Sequence, residues 1–192
     1  SATTQITVSN ADQAPVVKAP VAASAAAGAP ITVSVSASDP DGETLTALMP
    51  EYAMAIDEDR LEDWVELFTE DCDYRVVTRE NVEQGLPNIL MWCDNKDMLR
   101  DRVDSYRNVN EYNLHYDRHV LGPLRFIGEK DGAWTFDVSY SLFQTTLEGE
   151  SRLFSVGRYR VGARLESDAA RLKTVTAIAD TGLVPSLLAT PI

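Results

Sequence analysis

The chain has 192 residues, 44% of them hydrophobic and 24% charged, which is the balance of a globular domain with some length to spare. Its formal charge of −13 repels phosphate backbones, and no Lys/Arg stripe opposes that field, so nucleic acid is excluded as a partner. No apolar run reaches the roughly 18 residues of a membrane-spanning helix, so no membrane role is expected.

The N-terminal stretch, residues 1–48, differs in kind from the rest. It contains no aromatic residue, the first being Tyr52, and consists largely of Ala, Val, Ser, Thr and Pro. No basic segment leads into an apolar one, so no secretory signal is expected, although a chain beginning at Ser1 leaves room for a removed upstream segment. Residues 31–37 alternate apolar and small polar side chains, the pattern of a half-buried strand. Asp39-Pro40-Asp41-Gly42 reads as a tight acidic turn. This segment resembles a fragment of the immunoglobulin- or cadherin-like modules of bacterial surface proteins, in which such turns often help to bind calcium. It has too few strands and no bulky core residue to complete such a module. The reading is a loosely ordered or short-stranded tail with a solvated turn.

From residue 49 to Ile192 the pattern is that of a folded domain. Tyr52, Ile56, Leu61, Trp64, Val65 and Phe68 recur at near-helical spacing, with Asp57 as the expected cap of the second of two helices. A short strand is predicted over Cys72–Thr78, and the apolar run Leu86–Trp92 fits either strand or helix. Asp97–Asn108 is an amphipathic helix that brings Met98, Leu99, Arg102, Val103 and Tyr106 to one face. Beyond it the period becomes that of strands. His119–Ile127 is extended, with Pro123 marking an edge or bulge, and Lys130-Asp131-Gly132 is a hairpin turn. Trp134, Phe136, Val138, Tyr140 and Leu142 then point one way, and Thr135, Asp137, Ser139 and Ser141 the other. Gly149 closes the next turn, and strands over Leu153–Val161 and Leu172–Ala179 flank a polar turn at Glu166-Ser167-Asp168. Helices followed by three or four long antiparallel strands give an α+β fold, a curved sheet wrapped around its helices.

Several constellations could carry chemistry. Cys72 and Cys93 make no metal-binding or redox spacing and read as buried, reduced thiols. His115 and His119 stand four apart around Asp117, which on a helix would suit zinc or iron. On a strand, the setting expected before Val120-Leu121-Gly122-Pro123, they would lie about 13 Å apart, too far to share an ion. No Cys-x-His pair for a Rieske cluster, no phosphate loop and no nucleophile elbow is present. Tyr74, Asp101, His119, Asp137 and Tyr140 could form an acid–base set if they lined one pocket, as in a stand-alone isomerase or dehydratase. The dense charges of residues 97–102 fit a solvated face, or else arginines (Arg100, Arg102 and, further on, Arg118) that anchor carboxylates across a subunit interface.

Ordered motifs across the domain carry a more specific signal. They are Asp57-x-Asp59-x-Leu61-Glu62-Asp63-Trp64, Leu67 to Cys72 followed by Tyr74-Arg75-Val76, and Arg79-Glu80-Asn81. Asp97-Met98-Leu99-x-Asp101-Arg102, Tyr116-Asp117-Arg118-His119, and Ala179-Asp180-Thr181 leading to Leu187–Ile192 complete the set. From about residue 50 to Ile192 the chain resembles the small (β) subunits of Rieske aromatic-ring-hydroxylating dioxygenases of the terephthalate, anthranilate and salicylate type. That resemblance implies the cone-shaped fold shared with nuclear transport factor 2 and ketosteroid isomerase. It also implies a non-catalytic, cytoplasmic subunit with no cofactor of its own. The expected partner is a catalytic large (α) subunit that holds the Rieske 2Fe-2S cluster and mononuclear iron, commonly in an α3β3 hexamer within which the small subunits form a trimer. The candidate interface residues are Arg100, Asp101, Arg102, Tyr116, Arg118 and His119. Residues 1–48 have no counterpart in that family.

Overall fold

The computed structural model describes residues 16–18, 36–38, 40–109, 111, 114–166, 169–185 and 187–192. The chain divides into two units between Thr44 and Leu45. In the first, strands β1 (Val16–Lys18) and β2 (Ser36–Ser38) pair antiparallel. Most of the alternating stretch 31–37 lies outside the described residues. The expected acidic turn is corrected in part: Pro40, Asp41 and Gly42 form the first turn of helix α1 (Pro40–Asp57), and Asp39 lies outside the described residues. Proline suits that position because the first helical N–H has no intrahelical acceptor to lose.

The second unit begins with the body of α1, which buries Leu45, Leu48, Met49, Tyr52, Ala55 and Ile56. The helix ends through Asp59, whose φ of 56° is the left-handed conformation that aspartate tolerates better than most residues. Helix α2 (Leu61–Glu66) follows directly, with Arg60 at its N-cap and no side-chain cap. Asp57 is therefore not the cap that its spacing suggested. It is buried, and its carboxylate is taken by a distant strand.

Strand β3 (Phe68–Thr78) extends four residues before the predicted strand, and helix α3 (Arg79–Gln84) was not apparent in the sequence. Its signals are local: Thr78 accepts from the Asn81 N–H at 3.1 Å, and Gly85 closes the helix at φ 65°. The ambiguous run Leu86–Trp92 is mostly irregular and ends in strand β4 (Met91–Cys93). Helix α4 (Lys96–Asn108) is capped by Asn95, which accepts from Met98 N–H at 2.9 Å. Leu99 and Val103 enter the core, whereas Met98 stays exposed.

The remaining strands are β5 (His115–Leu121), β6 (Arg125–Lys130), β7 (Ala133–Thr146), β8 (Ser151–Glu166) and β9 (Ala169–Ala179). Asp131 and Gly132, both at positive φ, make the β6–β7 turn, and Gly149 at φ 91° lies in the β7–β8 turn. The polar turn expected at Glu166–Asp168 falls at Ser167 and Asp168 outside the described residues. The seven strands run in the order β4-β3-β9-β8-β7-β5, with β6 also pairing with β7. The sheet is mixed rather than wholly antiparallel, because β3 lies parallel to β9. Register shifts in the β3–β9, β6–β7, β7–β8 and β8–β9 pairs supply the bulges that bend such a sheet.

The helices cover one face of the sheet. There Tyr52, Trp64, Phe68, Tyr74 and Tyr159 interlock edge to face, and Tyr140 stacks on Tyr159 with ring centroids 4.5 Å apart. The predicted alternation of β7 holds for Phe136, Val138, Tyr140 and Leu142, all buried. Burying these large rings in one cluster, together with the surrounding Leu, Val and Ala side chains, supplies the apolar driving force of this unit.

Candidate functional site

The inner face of the sheet is the place where a cone-shaped α+β domain could hold a reacting site. In this chain residues near Ile192 pack against that layer. Ala189, Thr190 and Ile192 are buried. The Ile192 carbonyl oxygen accepts from the Tyr52 hydroxyl at 2.6 Å and from the Tyr74 hydroxyl at 3.0 Å. The Ile192 N–H returns a bond to the Tyr74 oxygen at 3.0 Å. Thr190 Oγ1 donates to Asp117 Oδ2 at 2.9 Å. Burial pushes the phenol of Tyr140 up to about 12 and raises Tyr52, Tyr74 and Tyr159 further, so these hydroxyls remain protonated hydrogen-bonding groups.

Beside this packed interior lies a buried Asp–His pair. His119 Nδ1 stands 2.6 Å from Asp57 Oδ1, and the His119 N–H donates to Asp57 Oδ2 at 2.8 Å. One carboxylate thus fixes both the ring and the backbone of β5 and ties that edge strand to the end of α1. His115, on the same face, has Nε2 3.6 Å from Asp117 Oδ1. The two histidines therefore occupy one face of a strand, each beside its own carboxylate. That arrangement does not suit a shared metal ion, and among the described residues no three His, Cys, Asp or Glu side chains are grouped as metal ligands. A cavity of about 210 Å³ opens next to the pair, lined in part by Asp57, Tyr106, His115, Asp117 and Thr190.

The acid–base set read from the sequence does not converge. Tyr74 is bonded to Ile192, His119 to Asp57, and Tyr140 to Ser155 at 3.0 Å. Asp137 lies on the opposite face of the sheet between Arg125 and Arg160, each at 3.1 Å. Burial pushes its carboxyl up, but the two guanidiniums outweigh this and hold it below the ordinary range. Asp101 is exposed on α4.

The six interface candidates fall into two groups. Arg100 and Asp101 are exposed on α4, with Arg100 2.8 Å from Asp97, and Tyr116 and Arg118 are exposed along β5. Arg102 and His119 turn inward. Arg102 Nη2 donates to the Leu188 carbonyl at 2.6 Å and so holds the segment that leads to Ile192.

The sequence reading expects the sheet face, with segments 97–102 and 116–119, to form subunit interfaces, but it does not single out the row of residues that crosses the outer face. Strand register aligns Trp92, Arg75, Thr176, Arg160, Asp137 and Arg125 in one row across β4, β3, β9, β8, β7 and β6. Arg75 pairs with Asp73 and lies over the Trp92 ring at 5.1 Å. The period-two spacing of Arg158, Arg160 and Arg164 on β8 was the available signal.

Comparison with known proteins converges on one family. A family model described as "Ring hydroxylating beta subunit" matches residues 51–186. The anthranilate 1,2-dioxygenase small subunit of Burkholderia cepacia is 41% identical over 145 residues, covering 76% of this chain and 90% of that protein. The β1 subunit of the terminal oxygenase component of terephthalate 1,2-dioxygenase from a Comamonas species is 32% identical over 149 residues, covering 77% and 96%. Among solved structures, a β subunit assigned to an aromatic-ring-hydroxylating dioxygenase of Novosphingobium aromaticivorans is 40% identical. It superimposes with a TM-score of 0.72, covering 78% of this chain and 95% of that one.

Proposed function

This chain belongs to the ring-hydroxylating β-subunit family, and from that premise we propose that it is the non-catalytic small subunit of a Rieske non-haem iron oxygenase acting on aromatic rings. The observation that carries the reading is the match along almost the whole of the second unit, residues 51–186, together with the 41% identity to a dioxygenase small subunit. The α+β fold is the cone-shaped one expected for such subunits. The candidate acid–base groups are committed to separate partners, which supports the non-catalytic role over a stand-alone isomerase or dehydratase.

In this reading the partner is a cytoplasmic catalytic large subunit that carries the Rieske cluster and the mononuclear iron, in an α3β3 assembly. The expected small-subunit domain, residues 49–192, takes in residues 45–48 as well, because Leu45 and Leu48 of α1 are buried in its core. The surface members of the sequence-derived set, Arg100, Asp101, Tyr116 and Arg118, are the ones available to a neighbouring subunit, whereas Arg102 and His119 support the fold behind them. The named relatives act on anthranilate and terephthalate, so an aromatic carboxylate is the substrate class to try first.

The test is reconstitution. A matching large subunit expressed alone and with this chain is assayed for hydroxylation of aromatic carboxylates in the presence of its reductase and NAD(P)H. Activity or soluble yield that depends on this chain supports the reading. Turnover of an isomerase- or dehydratase-type substrate by the isolated chain, with no effect on any large subunit, would overturn it.

A further inference from the structure

We infer that the cavity beside the Asp57–His119 pair is a binding site for a single alkylammonium or guanidinium group. The group comes either from a free amine or from a Lys or Arg side chain of the large subunit, and the second source rests on the subunit reading above. Asp117 carries the inference. Its side chain is 5% exposed and forms part of the cavity wall. Oδ2 accepts from Thr190, but Oδ1 is buried with no hydrogen-bond partner among the described residues. His115 Nε2, at 3.6 Å from Oδ1, stands beyond hydrogen-bond distance. Asp117 has no Lys or Arg partner among the described residues. A carboxylate oxygen left buried without a donor is costly, and a cation seated against that wall lowers the cost.

The neighbouring charges leave this field negative. Arg60 is shared by Glu51, Glu58 and Asp63, and Arg107 by Asp59 and Glu62. Arg118 lies 3.8 Å from Asp57, which His119 also meets. Each nearby guanidinium is thus engaged by a carboxylate other than Asp117, so the cavity favours a cation and repels the aromatic carboxylates proposed as substrates. Its volume of about 210 Å³ is below the roughly 300 Å³ at which pockets for drug-sized ligands begin, and suits one side-chain-sized group. Ile56, Leu114 and Leu147 offer apolar wall to an alkyl stem, and the Tyr116 ring offers its face to the charge. The cation is organic rather than metallic, because no three metal-ligating side chains are grouped among the described residues.

The probes are n-butylguanidinium and n-butylammonium, titrated into the full chain by calorimetry at low salt and pH 8, above the ordinary histidine range. Saturable one-site binding with a Kd of about 1 mM is expected. Methylammonium, which lacks the apolar stem, should bind at least about tenfold more weakly, and butyrate should not bind. Asp117→Asn keeps the side-chain volume and an acceptor for Thr190, and should weaken butylguanidinium at least about tenfold. Leu147→Lys, at an exposed position on the rim, supplies a tethered ammonium and should weaken the probe to the same degree. Circular dichroism checks that both variants are folded. No saturable binding, equal binding of butyrate, or unchanged affinity in both variants overturns the inference. The complex with the large subunit then separates the sources: lost probe binding assigns the group to that subunit, and retained binding assigns it to a free amine. A chain that joins the large subunit but binds no probe in isolation overturns the inference and leaves the proposed function standing. Probe binding by a chain that joins no large subunit supports the site and sinks the proposed function instead.

Discussion

Replacing Asp57 by alanine removes the carboxylate that meets both the His119 ring and its backbone N–H. The side chains of Asp57 and His119 are 4% and 0% exposed, so water cannot readily substitute for the lost carboxylate. Two hydrogen bonds are lost, at 2.6 and 2.8 Å, and a buried N–H and ring nitrogen are left unmet. Hydrogen bonds to a charged group contribute about 1.5–3 kcal/mol each, and removing one member of a buried pair costs about 3–5 kcal/mol. The adjoining cavity lets the site relax somewhat, so a loss of about 3–4 kcal/mol is expected, roughly 10 °C in Tm for a chain of this size. Asp57→Asn keeps one acceptor and the volume of the side chain and should lose about 1–2 kcal/mol. Urea unfolding followed by tryptophan fluorescence measures both, with the m-value as a check that the unfolded state is unchanged. If Asp57→Ala loses less than about 1 kcal/mol, the pair does not hold β5 to α1, and the reasoning fails.

Three further outcomes follow from the same geometry. Arg102→Ala should cost the folded chain about 1.5–3 kcal/mol by releasing the Leu188 carbonyl, and a variant with unchanged urea midpoint would contradict that internal role. Burial raises the Cys72 thiol to about 11 and raises Cys93 as well, so a thiol reagent at pH 8 should label neither in the native protein and both in denaturant; rapid native labelling would refute the burial. Asp137, held down by Arg160 and Arg125 against burial, and Glu66, held down by Lys96, have folded pKa values below their unfolded ones. Their contribution is complete above the unfolded carboxylate value near pH 4 and is lost as pH falls through the folded values. Urea midpoints should therefore drop below about pH 4, and less steeply in Arg160→Ala; an equal acid slope in the variant would refute Asp137 as a source.

The elements legible from sequence were those whose signal is local and periodic. The β7 alternation, the Leu99–Val103 stripe of α4 and the Asp131-Gly132 turn all carry their instructions within a few residues. What escaped was set by distant partners. Asp57 has the composition of a helix cap, but a backbone N–H 62 positions away claims its carboxylate. The parallel pairing of β3 with β9 joins strands about a hundred residues apart, and no local pattern records it. Leu187–Ile192 carry a family motif but no periodic signal, and only the folded chain shows that Tyr52 and Tyr74 hydrogen-bond Ile192. The family motifs were legible because they recur in order along the domain. The two sides of the charged run 97–102 were legible from helical spacing, which puts Arg102 with Leu99 and Val103, but its partner, the Leu188 carbonyl 86 positions away, was not.

The central claim is that this chain is an accessory subunit, and native mass spectrometry of the chain co-expressed with a Rieske-type large subunit from an anthranilate- or terephthalate-type system tests it most directly. The account predicts a stable complex with equal numbers of the two chains, its mass that of three of each. A small chain that elutes apart from every such partner, at the mass it shows when expressed alone, would contradict it.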